Sequence, residues 1–232
     1  MSVVIAIDGT SACGKGTLAR QLAAHYGFAH LDSGALYRLV ALGVLEAGGD
    51  PSQAEDAVRA ARAIDPKRIH DPRLRSAAAG EAASVVAAIP EVRFAVLQFQ
   101  RDFADDPPGG ARGAVIDGRD IGTVIAPDAT AKLFIDARPR VRALRRWLEL
   151  KQQYESNPSA KLPNLEKIEA NLLARDQRDR SRVTAPLRQA EDAILLDTSD
   201  LSIDAAFAAA LALVSPKVTK ALEGTSKDRH RG

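Results

Sequence analysis

An α/β fold, a five-stranded parallel sheet with helices on both faces, is predicted by three features of this sequence. Short apolar runs alternate with segments whose apolar residues recur at helical spacing. Four of the five runs end in Asp at or just before turn chemistry. The first run leads directly into a glycine-rich loop and then an amphipathic segment.

The elements follow in order. VVIAID (3–8) is the first strand, and TLARQLAAHY the helix behind its loop. FAHL (28–31) is the second strand, leading into LDSGALYR. Residues 51–106 hold no convincing strand, only the helix-like SQAEDAVRAARAI and PEVRFAVLQFQRDFADD with the loop IHDPRLRS between them. This is a helical excursion from the sheet. GAVID (113–117) and AKLFID (131–136) return to it, and PRVRALRRWLELKQQY is the next helix. Residues 156–186 then form an arm: SNPSAKLPN as a turn-rich hinge, and LEKIEANLLARDQRDRSRVTAP as a charged helix ended by Pro186. AILLD (193–197) is the last strand and LSIDAAFAAALALV the last helix. The core is accordingly assigned to residues 1–50, 107–155 and 187–216. The polar, aperiodic tail 217–232 is expected to fray as a disordered end.

Composition bounds the function. A chain of 232 residues, 46% apolar, buries a sizeable core. Its net charge of +2, from 32 basic and 30 acidic residues, gives no whole-protein bias toward nucleic acid or a membrane, so any charge-based function is local. The single cysteine excludes an internal disulfide. With no charged-then-apolar leader, a reducing cytoplasm is the expected compartment. No apolar run reaches the ~20 residues that cross a bilayer, and the alanine-rich stretch from Ala205 to Val214 is far too short.

In a parallel sheet covered by helices, ligands collect at the carboxyl ends of the strands. There lies GTSACGKGT (9–17). A strand, G-x-x-x-x-G-K and a helix form a P-loop: glycine permits the turn, backbone N–H groups surround phosphate oxygens, and Lys15 reaches the terminal phosphates. Gly16 stands where Ser or Thr usually follows the lysine, and Thr17 comes next, roughly 100° further round a helix. Thr17 is thus the candidate hydroxyl for Mg²⁺. The G-K-G-T ending is similar to that of nucleoside monophosphate kinases.

Three further clusters carry charge. In LDSGALYR, Ser33 and Arg38 can face one anion at a helix N-terminus, although Ser33 could equally be only an N-cap. In VIDGRDIGTVIAPDA, Asp117 ends a strand, suited to Mg²⁺ or its waters, and Gly118 turns Arg119 and Asp120 into the crevice. The alternative is a closed ion cluster of Arg119 with Asp117 or Asp120. In ARDQRDRSR, helical spacing puts Arg175, Arg178, Asp179 and Arg182 on one face, where the crowded guanidinium groups call for a polyphosphate. The competing account is a solvated helix with Asp176–Arg180 and Arg175–Asp179 pairs worth about 0.3 kcal/mol each.

GTSACGKGT, LDSGALYR, AASVVAAIPEVR, DGRDIGTVIAPDA and RDQRDRSRVTAPL, in this order and spacing, make the chain resemble the bacterial cytidylate kinases over most of residues 3–214. The resemblance implies a P-loop kinase core. Residues 51–106 become the acceptor-nucleotide-binding region, and 156–186 a lid. It implies that Gly9, Thr10, Ser11, Ala12, Cys13, Gly14, Lys15, Gly16 and Thr17 bind ATP. Ser33, Arg38, Arg119 and Arg182 would hold the acceptor phosphate, Ser84, Arg93 and Asp120 read cytosine, and Arg175 and Asp179 lie near the ribose. Cytosine offers an amino donor beside two acceptors, which a carboxylate and donors complement.

The implied reaction is in-line transfer of the ATP γ-phosphoryl group to CMP or dCMP, with Mg²⁺ as cofactor. Lys15, Asp117, Arg119, Arg178 and Arg182 are the catalytic set, acting through position and charge. The expected partners are these small molecules, with no nucleic acid and no membrane, and the enzyme acts as a monomer. Two other readings stay open: a P-loop nucleotide switch contacting a protein or RNA, and a monophosphate kinase with uridylate as its main acceptor. The sequence also departs from the family. The stretch 63–76 is too short for the small β insert that many members carry beside the acceptor, and the approach to the lid is longer than usual. Cys13, inside the loop, is either a redox-sensitive thiol or a small residue filling space.

Overall fold

A computed structural model describes residues 2–155 and 163–228. Five strands form one all-parallel sheet: β1 (Val3–Gly9), β2 (Ala29–Asp32), β3 (Gly113–Gly118), β4 (Ala131–Asp136) and β5 (Ile194–Asp197), in the order β2-β3-β1-β4-β5. Every expected strand is present. β1 is central, its Asp8 in register with Gly118 on one side and Phe134 on the other. Buried on both faces, it reads as a continuous apolar run rather than an alternating one. The strand order reverses beside β1, which opens a crevice at its carboxyl end.

Helix α1 (Lys15–Tyr26) starts after Gly14, whose φ of 93° needs glycine, and packs with α8 (Ile203–Asp228) on one sheet face. Ile5, Ile7, Leu22, Leu133, Ile135 and Val214 form that core. The opposite face buries Val4, Ala6, Leu31, Ile116 and Ile121. A separate cluster joins α2 (Ser33–Glu46), α3 (Ala54–Arg62), α4 (Ala77–Val86) and α5 (Pro90–Asp105) through Leu36, Val40, Val44, Ala57, Ala83, Val86 and Val96. The helical excursion therefore begins before residue 51, because α2 shares its apolar face with the helices that follow. Residues 63–76 form two 3₁₀ turns, Pro66–His70 and Pro72–Arg75, each capped by the Asp before it.

Helices α6 (Pro139–Glu155) and α7 (Leu165–Ser181) pair through Ala143, Leu150, Ile168 and Leu172. Most of the expected hinge, residues 156–162, lies outside the described residues.

The tail differs from expectation. α8 continues through Pro216 to Asp228, and the last four residues lie outside the description. Val218 is fully buried in the α1 and sheet core, with Ala221 and Leu222 packed against it. Short polar residues mask this pattern: Ala206, Ala210, Val214 and Val218 recur every fourth residue and continue one buried stripe. Ile203–Gly224 is consequently long and apolar enough to cross a membrane, contrary to the sequence reading, yet that stripe faces the core. Truncation after Pro216 should lower stability by about 2–4 kcal/mol, since it removes one buried and two half-buried apolar side chains. The thermal midpoint should fall by roughly 5–10 °C. An unchanged melting curve would mean that the tail frays after all.

Candidate active site

The site is built on the loop after β1. Gly9 has no alternative, because a Cβ there would stand 2.0 Å from the Ile135 carbonyl oxygen. The loop is fastened from several sides. Thr10 Oγ1 donates to Asp136 at 2.6 Å, and Arg145 Nη1 and Thr198 Oγ1 reach the Cys13 carbonyl at 3.2 and 3.0 Å. Lys15 folds back to the Thr10 carbonyl at 3.2 Å, the place a phosphate oxygen would compete for. Burial, and then Arg119, lower its pKa. The Cys13 thiol is wholly buried in the core between α1 and the sheet, which favours the space-filling role.

The DGRD turn after β3 delivers Arg119 across the crevice. Its Nη2 donates to Ser11 Oγ at 2.9 Å and its Nε to Asp179 Oδ2 at 2.8 Å. One guanidinium thus ties the P-loop to α7, and the alternative of an Arg119 pair with Asp117 or Asp120 is not what forms. Asp179 also faces Arg182 at 3.8 Å. Burial pushes its carboxyl up, but Arg119, Arg175 and Arg182 pull it below the usual carboxylate range.

The solvated-helix account of α7 fails on the same ground: Asp176 and Asp179 are both buried, and neither pairs within the helix in the way that account required. Arg175 and Arg178 share the face toward α4, at Gly80 and Ser84, but Arg182 does not extend it along the helix. Arg178 is exposed and donates to Ser84 Oγ at 3.3 Å. Arg182 lies past the helix end with ψ of 136°, so chain reversal rather than helical spacing brings it back.

Beside the crevice, the Nη1 atoms of Arg175 and Arg38 flank Gly80, 3.8 and 3.9 Å from where a Cβ would stand. Burial, then Arg119, lower Arg175 to about 9, so it stays protonated at neutral pH. Burial likewise lowers Arg38 and Arg182. The buried Nε groups of Arg175 and Arg182 have no hydrogen-bond partner. Guanidinium groups that are desolvated and incompletely paired form a site that an anion completes. Arg38 itself donates to the Leu74 carbonyl at 2.7 Å, so the 3₁₀ segment helps hold it.

Ser33 lies one residue into α2, and Asp32 is the cap, accepting from the Ala35 amide. The N-cap alternative for Ser33 is therefore excluded. Its hydroxyl instead donates to Gln100 Oε1 at 2.5 Å, while Gln100 Nε2 donates to the Val96 carbonyl. At the other end of the pocket, Arg93 pairs with Asp120, donates to the Ala87 carbonyl at 3.3 Å and lies over the Tyr37 ring at 5.3 Å.

Asp117 receives His30 Nε2 on Oδ1 at 2.9 Å, and Asp32 is its register partner on β2. Asp117 Oδ2 faces the P-loop, 3.6 Å from where a Cβ on Gly16 would stand. Thr17 Oγ1, one residue on, accepts from Arg20 at 3.3 Å. Among the described residues no three acidic, His or Cys side chains cluster as a ready-made metal cage. One carboxylate oxygen and one hydroxyl instead fit Mg²⁺, which keeps several waters and takes most other ligands from substrate phosphates.

Sequence reasoning missed a buried pair. Asp176 accepts the Ser11 amide at 2.9 Å and pairs with Arg142, which also donates to the carbonyls of Ser11 (3.0 Å) and Ala137 (2.8 Å). The only available signal was charge at apolar-face positions of two helices. His30, Gln100, Arg145 and Thr198 carried no signal at all.

Residues 5–215 match the family model described as cytidylate kinase. The chain is 52% identical over 212 residues to a protein named cytidylate kinase in Rhodopseudomonas palustris strain BisA53, covering 91% of this chain and 96% of that one. It is 51% identical, with 91% and 97% covered, to one of the same name in Afipia carboxidovorans. A crystal structure of an uncharacterized protein from Eubacterium ventriosum superposes with a TM-score of 0.53 at 14% identity over 92% of this chain and 98% of that one, a likeness of fold.

Two measurements check the site as built. Asp176→Ala should destabilise by about 3–5 kcal/mol in chemical denaturation, because Arg142 stays buried without its counter-charge. The Arg142→Ala, Asp176→Ala double variant should lose about 1–3 kcal/mol less than the sum of the single losses. Strict additivity would dissolve the pair. Iodoacetamide should leave Cys13 unlabelled in the native chain, with or without ATP, and react on unfolding; rapid native labelling would restore the redox reading.

Proposed function

The chain belongs to the cytidylate kinase family, a family of nucleoside monophosphate kinases, and on that premise we propose that it transfers the γ-phosphoryl group of ATP in line to CMP or dCMP, giving ADP and CDP or dCDP. The observation that carries this reading is the bridge through Arg119, which touches the P-loop at Ser11 and α7 at Asp179, beside arginines with unpartnered buried Nε groups. Donor and acceptor phosphates would meet there end to end.

In this reading the P-loop amides and Lys15 take the donor phosphates, Lys15 releasing the Thr10 carbonyl as it does so. Arg38, Arg119 and Arg182 hold the acceptor phosphate, and Ser33 joins them by turning its hydroxyl from Gln100. Arg175 and Asp179 lie by the ribose. Arg93 and Asp120, already paired, open to the cytosine edge, with Ser84 beside them; uracil would set a carbonyl against the Asp120 carboxylate. Thr17 and Asp117 would hold Mg²⁺, which would supply charge neutralisation to the donor phosphates. His30 fixes Asp117 in orientation. The acceptor is an anion at neutral pH, so the chain needs no general base. Its contribution is alignment and preorganised positive charge, with Arg178 closing α7 against α4.

The buried single cysteine is in keeping with a reducing cytoplasm. A coupled ADP-release assay over CMP, dCMP and UMP tests the whole reading. CMP and dCMP should accelerate ATP consumption strongly and UMP less; indifference to all three would favour a nucleotide switch, and a UMP optimum the uridylate assignment. Arg119→Ala should cut turnover with every acceptor by on the order of 10³-fold. Asp120→Ala should chiefly erode the preference for CMP over UMP, by roughly 10- to 100-fold.

A further inference from the structure

Asp8 plays no part in the reading above, yet it is buried at the centre of the sheet, 4% exposed, where β1 enters the P-loop. Its Oδ1 accepts the Ile121 amide and its Oδ2 the Gly122 amide, each at 2.8 Å. These are the first two N–H groups of the single wide turn Ile121–Ile125, whose own bonds run from the amides of Val124 and Ile125 to the Asp120 carbonyl and from the Ala126 amide to the Ile121 carbonyl. The opening amides of any helical turn lack partners within it, and the side chain of the N-cap residue is what ordinarily accepts from them.

The N-cap here is Asp120, one of the residue types best suited to capping, and its side chain does not cap. It pairs with Arg93 instead. Gly122 lies directly against this contact. A Cβ there would stand 3.4 Å from Asp8 Oδ2 and 3.1 Å from Lys132 Cδ. Lys132 does not draw Asp8 away, because its ammonium is taken by Asp192 at 2.8 Å and by the Pro127 carbonyl.

We propose that Asp8 is a positioning residue for base recognition: by capping the turn from the neighbouring strand, it frees the Asp120 carboxylate for the acceptor pocket. This rests on the assignment of Asp120 as base reader. Without Asp8, the Ile121 and Gly122 amides would fall to the N-cap side chain, Asp120, which would turn back on its own turn and leave Arg93.

The test compares kcat/KM for CMP and UMP in the full chain. Asp8→Asn keeps the shape but sets an amide donor against one of the two N–H groups. It should lower the CMP-over-UMP ratio by about tenfold or more, mainly through the KM for CMP, while the KM for ATP moves less than about threefold. Gly122→Ala, whose methyl touches Asp8 Oδ2 and presses on the Lys132 stem beside it, should shift the ratio the same way by about threefold, and it carries the test if Asp8→Asn does not fold. A merely structural Asp8 would lower the melting temperature and the yield of active enzyme but leave the ratio untouched. Asp120→Ala is run in parallel. If that change leaves the ratio intact, the base-reader assignment fails; if it erodes the ratio while folded Asp8→Asn and Gly122→Ala keep the wild-type value, the role of Asp8 is overturned.

Discussion

The structure depends on holding several guanidinium groups close together, out of water, before any anion is there to balance them. A chain of net charge +2 does this locally. Lys15, Arg38, Arg119, Arg175 and Arg182 come from four separate segments, and burial weakens the charged form of Lys15, Arg38, Arg175 and Arg182. Asp179 keeps the cluster from flying apart, since it faces Arg119, Arg175 and Arg182 together. Asp176 also acts on Arg119 and Arg175, and Asp120 on Arg182, but these two carboxylates are engaged by Arg142 and Arg93. The proposed function sets the phosphates of two nucleotides against the positive charge that remains.

Buried carboxylates divide the remaining work. Asp176 anchors α7 and α6 to the Ser11 peptide, with a partner on each oxygen. Asp136 holds the loop at Thr10. Asp8 takes the turn amides, and burial pushes its carboxyl up to about 7 against the pull of those amides. Asp117 keeps Oδ2 toward the P-loop, and Asp120 pairs with Arg93. Carboxylates at neighbouring strand ends thus separate into scaffold and site by how many amides and guanidinium groups each already serves.

The helices set the reach of the site. Arg38 and Arg175 lie over α4 at Gly80, and Arg178 meets the same helix at Ser84. α5 contributes Arg93 and Gln100 from one buried face. Movement of α7 would therefore change contacts to the P-loop, to the DGRD turn and to α4 at once, which couples these three parts of the site through packing.

The five strands, the P-loop and the strand-end position of DGRD were legible in the sequence because each is a local pattern: an apolar run, a glycine spacing, an Asp before a turn. The family was legible for the same reason, as ordered local text. Partner choice was not. Ser11 and Asp176 are 165 residues apart, and Arg119 and Asp179 are 60 apart, so no spacing rule could pair them. The tail resisted too, because Val218 is a single apolar residue among polar ones until α1 supplies the surface that buries it. Sequence by itself determined which groups this chain brings to the carboxyl edge of its sheet. Tertiary structure alone decided which of them are used up in holding one another, since desolvation and pairing act between residues that meet only when the chain has closed.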